Sequence, residues 1–181
     1  MGSRSVGFAP IAAPDARVLI LGSLPGVRSL RDNEYYAQPQ NAFWRIMGAL
    51  IGAGPDVDYA LRLERMKTHR LALWDVIRSA VRAGSMDNAI ARDTIKPNDF
   101  AAFLATHAEI VHVCFNGRTA AALWKREVAP TLPAEHARLV TSLLPSTSPA
   151  YAGMPYREKL ESWRAVLSPY CAANVVRRRR L

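Results

Sequence analysis

The chain has 181 residues and a mass of 20.0 kDa, a size typical of one compact domain. Half of its residues are apolar and 22% are charged, so it can bury a core and differs from a disordered polyelectrolyte. Its two cysteines, Cys114 and Cys171, are too few for a disulfide framework, a four-cysteine iron–sulfur site or a zinc ribbon.

The net charge is +9 and the pI is about 10.1, a balance that favours a polyanionic partner such as nucleic acid. Arginine outnumbers lysine twenty to four alongside abundant alanine, a bias that genome base composition also produces. Four of the arginines form a run at 177–180, and without them the net charge would be +5. Charge alone therefore does not identify the partner.

The sequence predicts neither a membrane span nor a signal peptide. No apolar run approaches the roughly 18 residues of a spanning helix. Residues 1–13 contain one arginine and no long apolar core, which makes them a poor signal peptide. We therefore expect a cytoplasmic protein with no membrane partner.

Short apolar runs alternate along the chain with stretches of helical spacing. The runs at 17–21, 71–74, 110–115 and 138–143 are typical of buried strands. Apolar residues three or four positions apart predict helices beginning near Phe43 and Tyr156, and weaker patterns predict helices from residue 57 onward, at 100–107 and at 119–128. Such alternation predicts an α/β fold, a three-layer α/β/α sandwich around a mainly parallel four-stranded sheet. Residues 1–170 would form its single domain, and 171–181 a basic tail.

Each predicted strand leads into small or polar residues at its carboxyl end. The first is followed by the segment 22–26, the second by Asp75, the third by Asn116 and the fourth by the segment 145–149. The carboxyl ends of parallel strands meet at one edge of a sheet, and ligands of such sheets bind there. We therefore expect these four segments to form one site.

The segment 22–26 suits a tight turn that brings the backbone close to a ligand, because glycine has no Cβ and proline restricts its neighbour. It is neither a phosphate loop nor a dinucleotide fingerprint, and a plain turn is the commoner structure for such a segment. The four histidines lack metal-ligand spacing, and the Gly-x-Ser-x-Gly elbow of serine hydrolases is absent. We expect no metal and no cofactor.

The segment 35–44 holds four aromatic and three amide side chains, directly before a predicted helix. Asn41 suits a helix N-cap, and Phe43 and Trp44 suit core packing, which we favour for Trp44. The alternative is a pocket wall. In such a wall an aromatic face stacks on a planar base, and a neighbouring amide orients water or contacts the base edge.

The other polar residues at this edge also have ordinary structural interpretations. Asp75 either caps a helix that begins near Val76 or takes part in base recognition or catalysis. Asn116 suits a turn, since Gly117 follows it. Three hydroxyls between two prolines suit either a surface turn or contacts to phosphate oxygens. These residues are Ser146, Thr147 and Ser148.

Three segments, in this order, resemble the motifs of the uracil-DNA glycosylase superfamily: GSLPG at 22–26, PQNAFW at 39–44 and LPSTSP at 144–149. They most resemble the hypoxanthine-DNA (deoxyinosine) glycosylases of that superfamily, and the similarity extends from about residue 17 to residue 167. The resemblance implies a monomeric α/β/α enzyme that flips a deaminated base out of DNA and hydrolyses its N-glycosidic bond without a metal. Hypoxanthine is the implied base, with uracil or xanthine as further substrates.

The resemblance also implies residue roles. Asn41 and Asp75 would be catalytic, and Phe43 would stack on the flipped base. The other implied base-binding residues are Gly22, Ser23, Leu24, Pro25 and Asn116. The implied DNA phosphate contacts come from Pro145, Ser146, Thr147 and Ser148.

The chain departs from its relatives at three positions. Leu24 stands where relatives have the Asp or Asn that activates water, which makes Asn41 the implied substitute. Leu144 replaces a histidine that stabilises the departing base in the strict uracil enzymes. Ser148 replaces an intercalating leucine, which leaves Pro149 or Tyr151 to act as a wedge.

Two other functions remain open from the sequence. One is a nucleic-acid-binding module that keeps the fold without catalysis, and the other is an unrelated nucleotide-handling α/β enzyme. The missing phosphate loop and dinucleotide fingerprint count against the second.

Overall fold

A computed structural model describes residues 3–171 of the chain. The strands are β1 (Ser3–Val6), β2 (Val18–Gly22), β3 (Leu71–Asp75), β4 (Ile77–Arg82), β5 (Lys96–Pro97), β6 (His112–Asn116) and β7 (Val140–Leu144). The α-helices are α1 (Val27–Asp32), α2 (Phe43–Ile51), α3 (Tyr59–Thr68), α4 (Phe100–Thr106), α5 (Arg118–Leu123) and α6 (Tyr156–Cys171).

The main sheet has the strand order β3-β2-β6-β7, and every neighbouring pair in it is parallel. All five residues of β2 and of β3 are buried, because helices cover both faces of the sheet. This double burial explains why both strands are continuous apolar runs in the sequence. The predicted parallel four-stranded sheet is confirmed, with strand boundaries shifted by one or two residues.

Two apolar clusters occupy the two faces of this sheet. On one face Val18 and Ile20 pack with side chains of α2, α3 and α6, among them Met66 and Trp163. On the other face Leu19 and Leu21 pack with side chains of α4 and α5. The α/β/α arrangement that the alternating pattern predicts is therefore confirmed. The helix expected at 119–128 divides into α5 and a π-helical turn, Trp124–Val128.

A second, antiparallel sheet with the order β1-β4-β5 was not predicted. A helix that begins near Val76, which was one of the two interpretations of Asp75, is excluded because the chain continues there as β4. The N–H of Val76 donates to the carbonyl of Gly22 at 2.9 Å, which keeps the backbone extended across the end of β2. Strand β4 is hard to recognise because it contains two arginines, and the second, Arg82, is only 2% exposed.

Some predictions concern residues outside the range 3–171. The basic run at 177–180 lies beyond residue 171, so its role stays a prediction, as does the single domain at 1–170. No helix within 3–171 is both long and apolar enough to cross a membrane.

His112 lies in the core as its strand position suggests. Its Nδ1 is 3.0 Å from the Tyr170 hydroxyl, and its Nε2 is 2.8 Å from Ser142 Oγ.

Candidate active site

The ends of β2 and β3 meet at the carboxyl edge of the main sheet, where Gly22 pairs with Asp75. A Cβ at position 22 would overlap Asp75 Oδ1 and would lie 3.1 Å from the Tyr36 hydroxyl. Position 22 therefore needs glycine, because the Asp75 carboxyl and the Tyr36 phenol both approach its Cα. This contact joins three segments that are distant in the sequence.

The carboxyl group of Asp75 is buried and lacks a full set of partners. Asp75 is 4% exposed, and its Oδ2 makes no hydrogen bond to any described residue. Burial, reinforced by the charge of Asp87, raises the pKa of Asp75 to about 7, and the Arg82 guanidinium opposes this rise. Asn98 holds the backbone at this point, because its Nδ2 donates to the Asp75 carbonyl at 2.8 Å. Asp75 is thus a positioned carboxyl group that titrates near neutral pH.

Strand β4 holds the loop at 22–26 in place through hydrogen bonds. The buried guanidinium of Arg82 donates to the carbonyl of Leu24 at 3.3 Å and to that of Pro25. The Ser23 hydroxyl donates to Asp87 Oδ1 at 2.6 Å. The side chain of Leu24 is 5% exposed and packs in the core. This loop therefore offers backbone, and not the Leu24 side chain, to the edge of the sheet.

Asn116 links β6 to two other segments of the site. Its Nδ2 donates to the Tyr36 hydroxyl at 3.0 Å and to Thr147 Oγ1 at 2.8 Å, and its Oδ1 accepts from the Thr147 N–H at 2.9 Å. An amide nitrogen has two hydrogens, so both are used within the protein. In this arrangement Asn116 holds Tyr36 and Thr147 in place.

The loop at 145–149 is fixed from several sides. Gly117 has a φ of 93°, and a Cβ there would lie 2.9 Å from the Ser146 Cβ. Trp163 Nε1 donates to the Pro145 carbonyl at 3.0 Å. Thr147 is 1% exposed, and its carbonyl accepts from the Ala42 N–H at 2.9 Å. Thr147 therefore joins the loop to the start of α2.

The two serines of the same loop are half-buried and hydrogen-bond locally. The Ser148 N–H donates to Ser146 Oγ at 3.2 Å, and the Ala150 N–H donates to Ser148 Oγ at 3.2 Å. A hydroxyl that accepts one hydrogen bond can still donate its own hydrogen. The loop therefore presents two hydroxyls that can donate to a ligand.

The aromatic ring at the edge of the site is Tyr36, which the sequence did not single out. Phe43 is fully buried, and Tyr36 stacks on it at a centroid distance of 4.1 Å and an interplanar angle of 20°. Tyr36 is half-buried and has a φ of 54°, a left-handed conformation that is uncommon outside glycine. The only sequence signal was its place among the four aromatics at 35–44. Trp44 lies in the core as we expected, and its Nε1 donates to the Tyr35 carbonyl at 2.7 Å.

Asn41 combines two features. Its Oδ1 accepts from the Phe43 N–H at 3.0 Å and so caps the start of α2, while the residue remains half-buried. In the described part of the chain its Nδ2 has no hydrogen-bond partner, and a carbonyl oxygen has a second lone pair. The cap therefore leaves donor and acceptor capacity for a ligand.

Within residues 3–171 no group of three or more His, Cys, Asp and Glu side chains could hold a metal ion.

The comparisons with known proteins agree with this fold. A family profile described as the Uracil DNA glycosylase superfamily matches residues 9–167. The chain belongs to this superfamily.

Relatives in two archaea match much of the chain. A Methanosarcina acetivorans protein named hypoxanthine DNA glycosylase is 36% identical over 161 residues, covering 88% of this chain and 96% of the relative. A Methanosarcina barkeri protein of the same name is 38% identical over 113 residues, covering 62% and 70%.

A solved structure extends the match to three dimensions. It is an NMR structure of a Methanosarcina acetivorans protein that is proposed to be a uracil DNA glycosylase, and its TM-score is 0.77 at 32% identity. The match covers 93% of this chain and 99% of the other, so nearly all of the architecture described above is shared.

Proposed function

We propose that this protein is a DNA glycosylase that hydrolyses the N-glycosidic bond of deaminated bases, with hypoxanthine as its principal substrate. The names of the two archaeal relatives support this substrate class. The observation that carries the proposal is that the motif segments converge on one edge of the sheet. Asn116 bonds to Tyr36 and Thr147, and Asp75 packs on Gly22.

The reaction replaces the bond between C1′ of deoxyribose and N9 of hypoxanthine with a bond from C1′ to a water oxygen. The bonding pair leaves with the base, and a proton from water ends on the released base. Asn41 orients this water through the amide capacity that its cap on α2 leaves free. An amide is too weak a base to remove the proton itself, so its contribution is positioning.

Tyr36 provides the surface on which the extruded base stacks. Its ring is half-buried at the sheet edge, whereas Phe43 supports it from behind and is fully buried. A phenol ring held on one face by Phe43 and at its hydroxyl by Asn116 is rigid, which favours stacking on a planar base. The stacking role that the resemblance implied for Phe43 therefore passes to Tyr36 in this proposal.

Asp75 acts as an anion beneath the sugar. Breaking an N-glycosidic bond leaves positive charge on the deoxyribose ring, and a carboxylate in a water-poor setting stabilises this charge more strongly than one in water. This role requires the ionised form, so the excision rate falls as pH drops through the pKa of Asp75, which is raised to about 7. If Asp75 instead donated a proton to the base, the excision rate would fall as pH rises through this pKa.

Ser146 and Ser148 contact DNA phosphates, and Thr147 positions their loop. The two serines are half-buried with hydroxyls that can still donate, while Thr147 is 1% exposed and bonded to Asn116. The protein acts as a monomer on DNA and uses neither a metal nor a cofactor.

Single-turnover excision tests the proposed function. Duplexes that carry one deoxyinosine, deoxyuridine or deoxyxanthosine are incubated with excess protein, and abasic sites are quantified. We expect the fastest release from deoxyinosine. Salt-dependent binding without base release from any duplex would instead identify a nucleic-acid-binding module.

The role of Asn41 is tested by Asn41→Ala, with Gln38→Ala as the matched control. Gln38 is an exposed amide three residues away, so its loss should leave the rate unchanged. Asn41→Ala should slow excision by roughly 10²–10³-fold, as for other preorganised polar groups, and the lost cap should cost only about 1 kcal/mol. Equal rates in the two variants would remove Asn41 from the mechanism.

A further inference from the structure

A second concave site lies beside the sheet edge, between the start of α2 and the first turns of α6. Its volume is about 180 Å³, smaller than the roughly 300–1,000 Å³ of pockets that enclose a small organic ligand. The polar residues that line it are Gln40, Arg45, Thr147, Ser148 and Lys159, with Tyr151 and Tyr156 among its walls. None of the described residues that line it is acidic, so two cations face one small cavity without a carboxylate.

Lys159 is the buried cation of this pocket. It is 6% exposed, and its Nζ donates to the Tyr151 carbonyl at 2.7 Å and lies 5.0 Å from the centroid of the Tyr151 ring. An ammonium group has three hydrogens, so the bond to Tyr151 leaves donors for a further acceptor. Burial also lowers the pKa of Lys159, as expected for a cation without a compensating anion.

Arg45 is the exposed cation at the mouth of the pocket, and Tyr156 restrains it in two ways. The guanidinium carbon lies 4.1 Å from the centroid of the Tyr156 ring, and the Tyr156 hydroxyl donates to the Arg45 carbonyl at 3.1 Å. A guanidinium stacked on an aromatic face keeps its N–H groups free at its edges. Less side-chain entropy is therefore lost when these N–H groups bind an anion.

We propose that this pocket binds one phosphodiester group of the DNA strand that carries the flipped nucleotide. Arg45 and Lys159 supply the charge, and Ser148 adds a hydroxyl from the loop. The inference rests on the proposed function for its ligand. The pocket shares the loop at 145–149 with the phosphate contacts proposed above, and it adds the two cations to them.

The position of the pocket links it to the reaction. Gln40 and Ala42, which line it, are the two neighbours of Asn41, and Ala42 is bonded through its N–H to Thr147. A phosphate held here places the adjacent sugar at a set distance from the Asn41 amide. The pocket thus positions the reacting nucleotide and carries no base specificity, as is usual for phosphate contacts.

Arg45→Gln tests the proposal, with Arg17→Gln as the matched control. Arg17 is also exposed but lies just before β2, at the opposite, amino edge of the main sheet. Affinity for an undamaged duplex is measured across a series of salt concentrations. A lost phosphate contact should make the slope of log K against log salt shallower by about 0.9 in Arg45→Gln and leave the slope of Arg17→Gln unchanged. Lys159→Gln should act in the same direction, with thermal unfolding as its check on folding.

A second measurement locates the phosphate. Single uncharged methylphosphonate linkages are placed in turn on either side of deoxyinosine, and binding is compared between the wild-type protein and Arg45→Gln. A methylphosphonate at one position should weaken binding by the wild-type protein several-fold. It should have little effect on Arg45→Gln, because that variant has already lost the charge interaction between Arg45 and the phosphate. Equal slopes for Arg45→Gln and wild type, equal losses in Arg45→Gln and Arg17→Gln, or the same methylphosphonate profile in both proteins would each overturn the proposal.

The slope measurement uses an undamaged duplex and is therefore independent of base release. A normal slope effect with no excision of any base would contradict the proposed function and leave the phosphate site standing. Excision of a deaminated base without a slope effect would support the proposed function and contradict the phosphate site.

Discussion

Replacing Asp75 with asparagine should stabilise the protein at neutral to alkaline pH while slowing excision. The carboxyl is 4% exposed, and its Oδ2 has no partner among the described residues. Burial and the charge of Asp87 raise its pKa from an ordinary 3.8 to about 7. A rise of this size corresponds to roughly 4 kcal/mol of folding free energy lost when the group is ionised. A buried asparagine amide without partners costs about 1–3 kcal/mol, so the net gain should be about 1–3 kcal/mol.

The pH dependence of this gain has a definite sign. Below about pH 4 the carboxyl is protonated in both the folded and the unfolded chain, so Asp75 imposes no ionisation cost. Between this pH and the raised pKa of about 7, the unfolded chain ionises first and the wild-type protein loses stability as pH rises. Above the raised pKa both states are ionised and the cost is constant. The stability difference between the variant and the wild type should therefore widen through this window and then level off.

Urea unfolding of both proteins at about pH 5 and about pH 8 measures this difference, and equal m-values confirm that only stability has changed. The single-turnover rate on a deoxyinosine duplex should fall by roughly 10²–10³-fold in the variant, because the anion beneath the sugar is lost. A variant that is less stable than wild type at alkaline pH would show that the folded state already provides Asp75 with a favourable partner. That outcome, or a stability difference that stays constant across the pH window, would show that ionisation of Asp75 does not destabilise the folded protein.

Three further predictions concern the supports of the site. Gly22→Ala should cost about 1–3 kcal/mol in urea unfolding and slow excision, because the new Cβ displaces the Asp75 carboxyl. Gly26→Ala, whose Cβ would lie an ordinary 3.5 Å from Ser85 Oγ, should cost less stability than Gly22→Ala, and equal losses of stability would contradict the close approach at Gly22. Asn116→Ala removes three hydrogen bonds and should cost about 2–4 kcal/mol, so a loss below about 1 kcal/mol would show that these bonds are dispensable. Arg82→Met removes the charge that opposes the raised pKa of Asp75, so the acid limb of the pH–rate profile should move to higher pH. Arg82→Lys should keep the limb near its wild-type position, and an unmoved limb in Arg82→Met would exclude this coupling.

The elements that the sequence predicted best are those whose pattern follows directly from burial. Strands β2 and β3 are buried on both faces, so they are continuous apolar runs in the sequence. The interior face of α2 repeats at helical spacing because only one side of the helix meets the sheet. Strand β4 escaped prediction because its buried residues include Ser79 and Arg82, whose side chains hydrogen-bond to distant parts of the chain.

The candidate site divides in the same way. The position of Asp75 at the end of β3 could be predicted, because parallel strands end at one edge of the sheet. Asn41 was indicated only by the order of the motifs. The stacking ring could not be assigned, since Tyr36 and Phe43 are both aromatic and only packing decides which of them is fully buried. The pocket between α2 and α6 could not be predicted from the sequence either, because it joins residues that are more than a hundred positions apart.

The strongly basic composition is evident from the sequence and favours a polyanionic partner. The sequence also carries the superfamily resemblance and predicts the α/β/α fold and the edge at which the motifs meet. The distribution of charge and hydrogen bonds at that edge depends on tertiary packing. Arg82 hydrogen-bonds to the loop at 22–26 inside the protein, whereas Arg45 and Lys159 face a cavity with no acidic residue among the described residues that line it. The sequence specifies which groups are present, but their burial and their hydrogen-bond partners depend on which distant segments pack together.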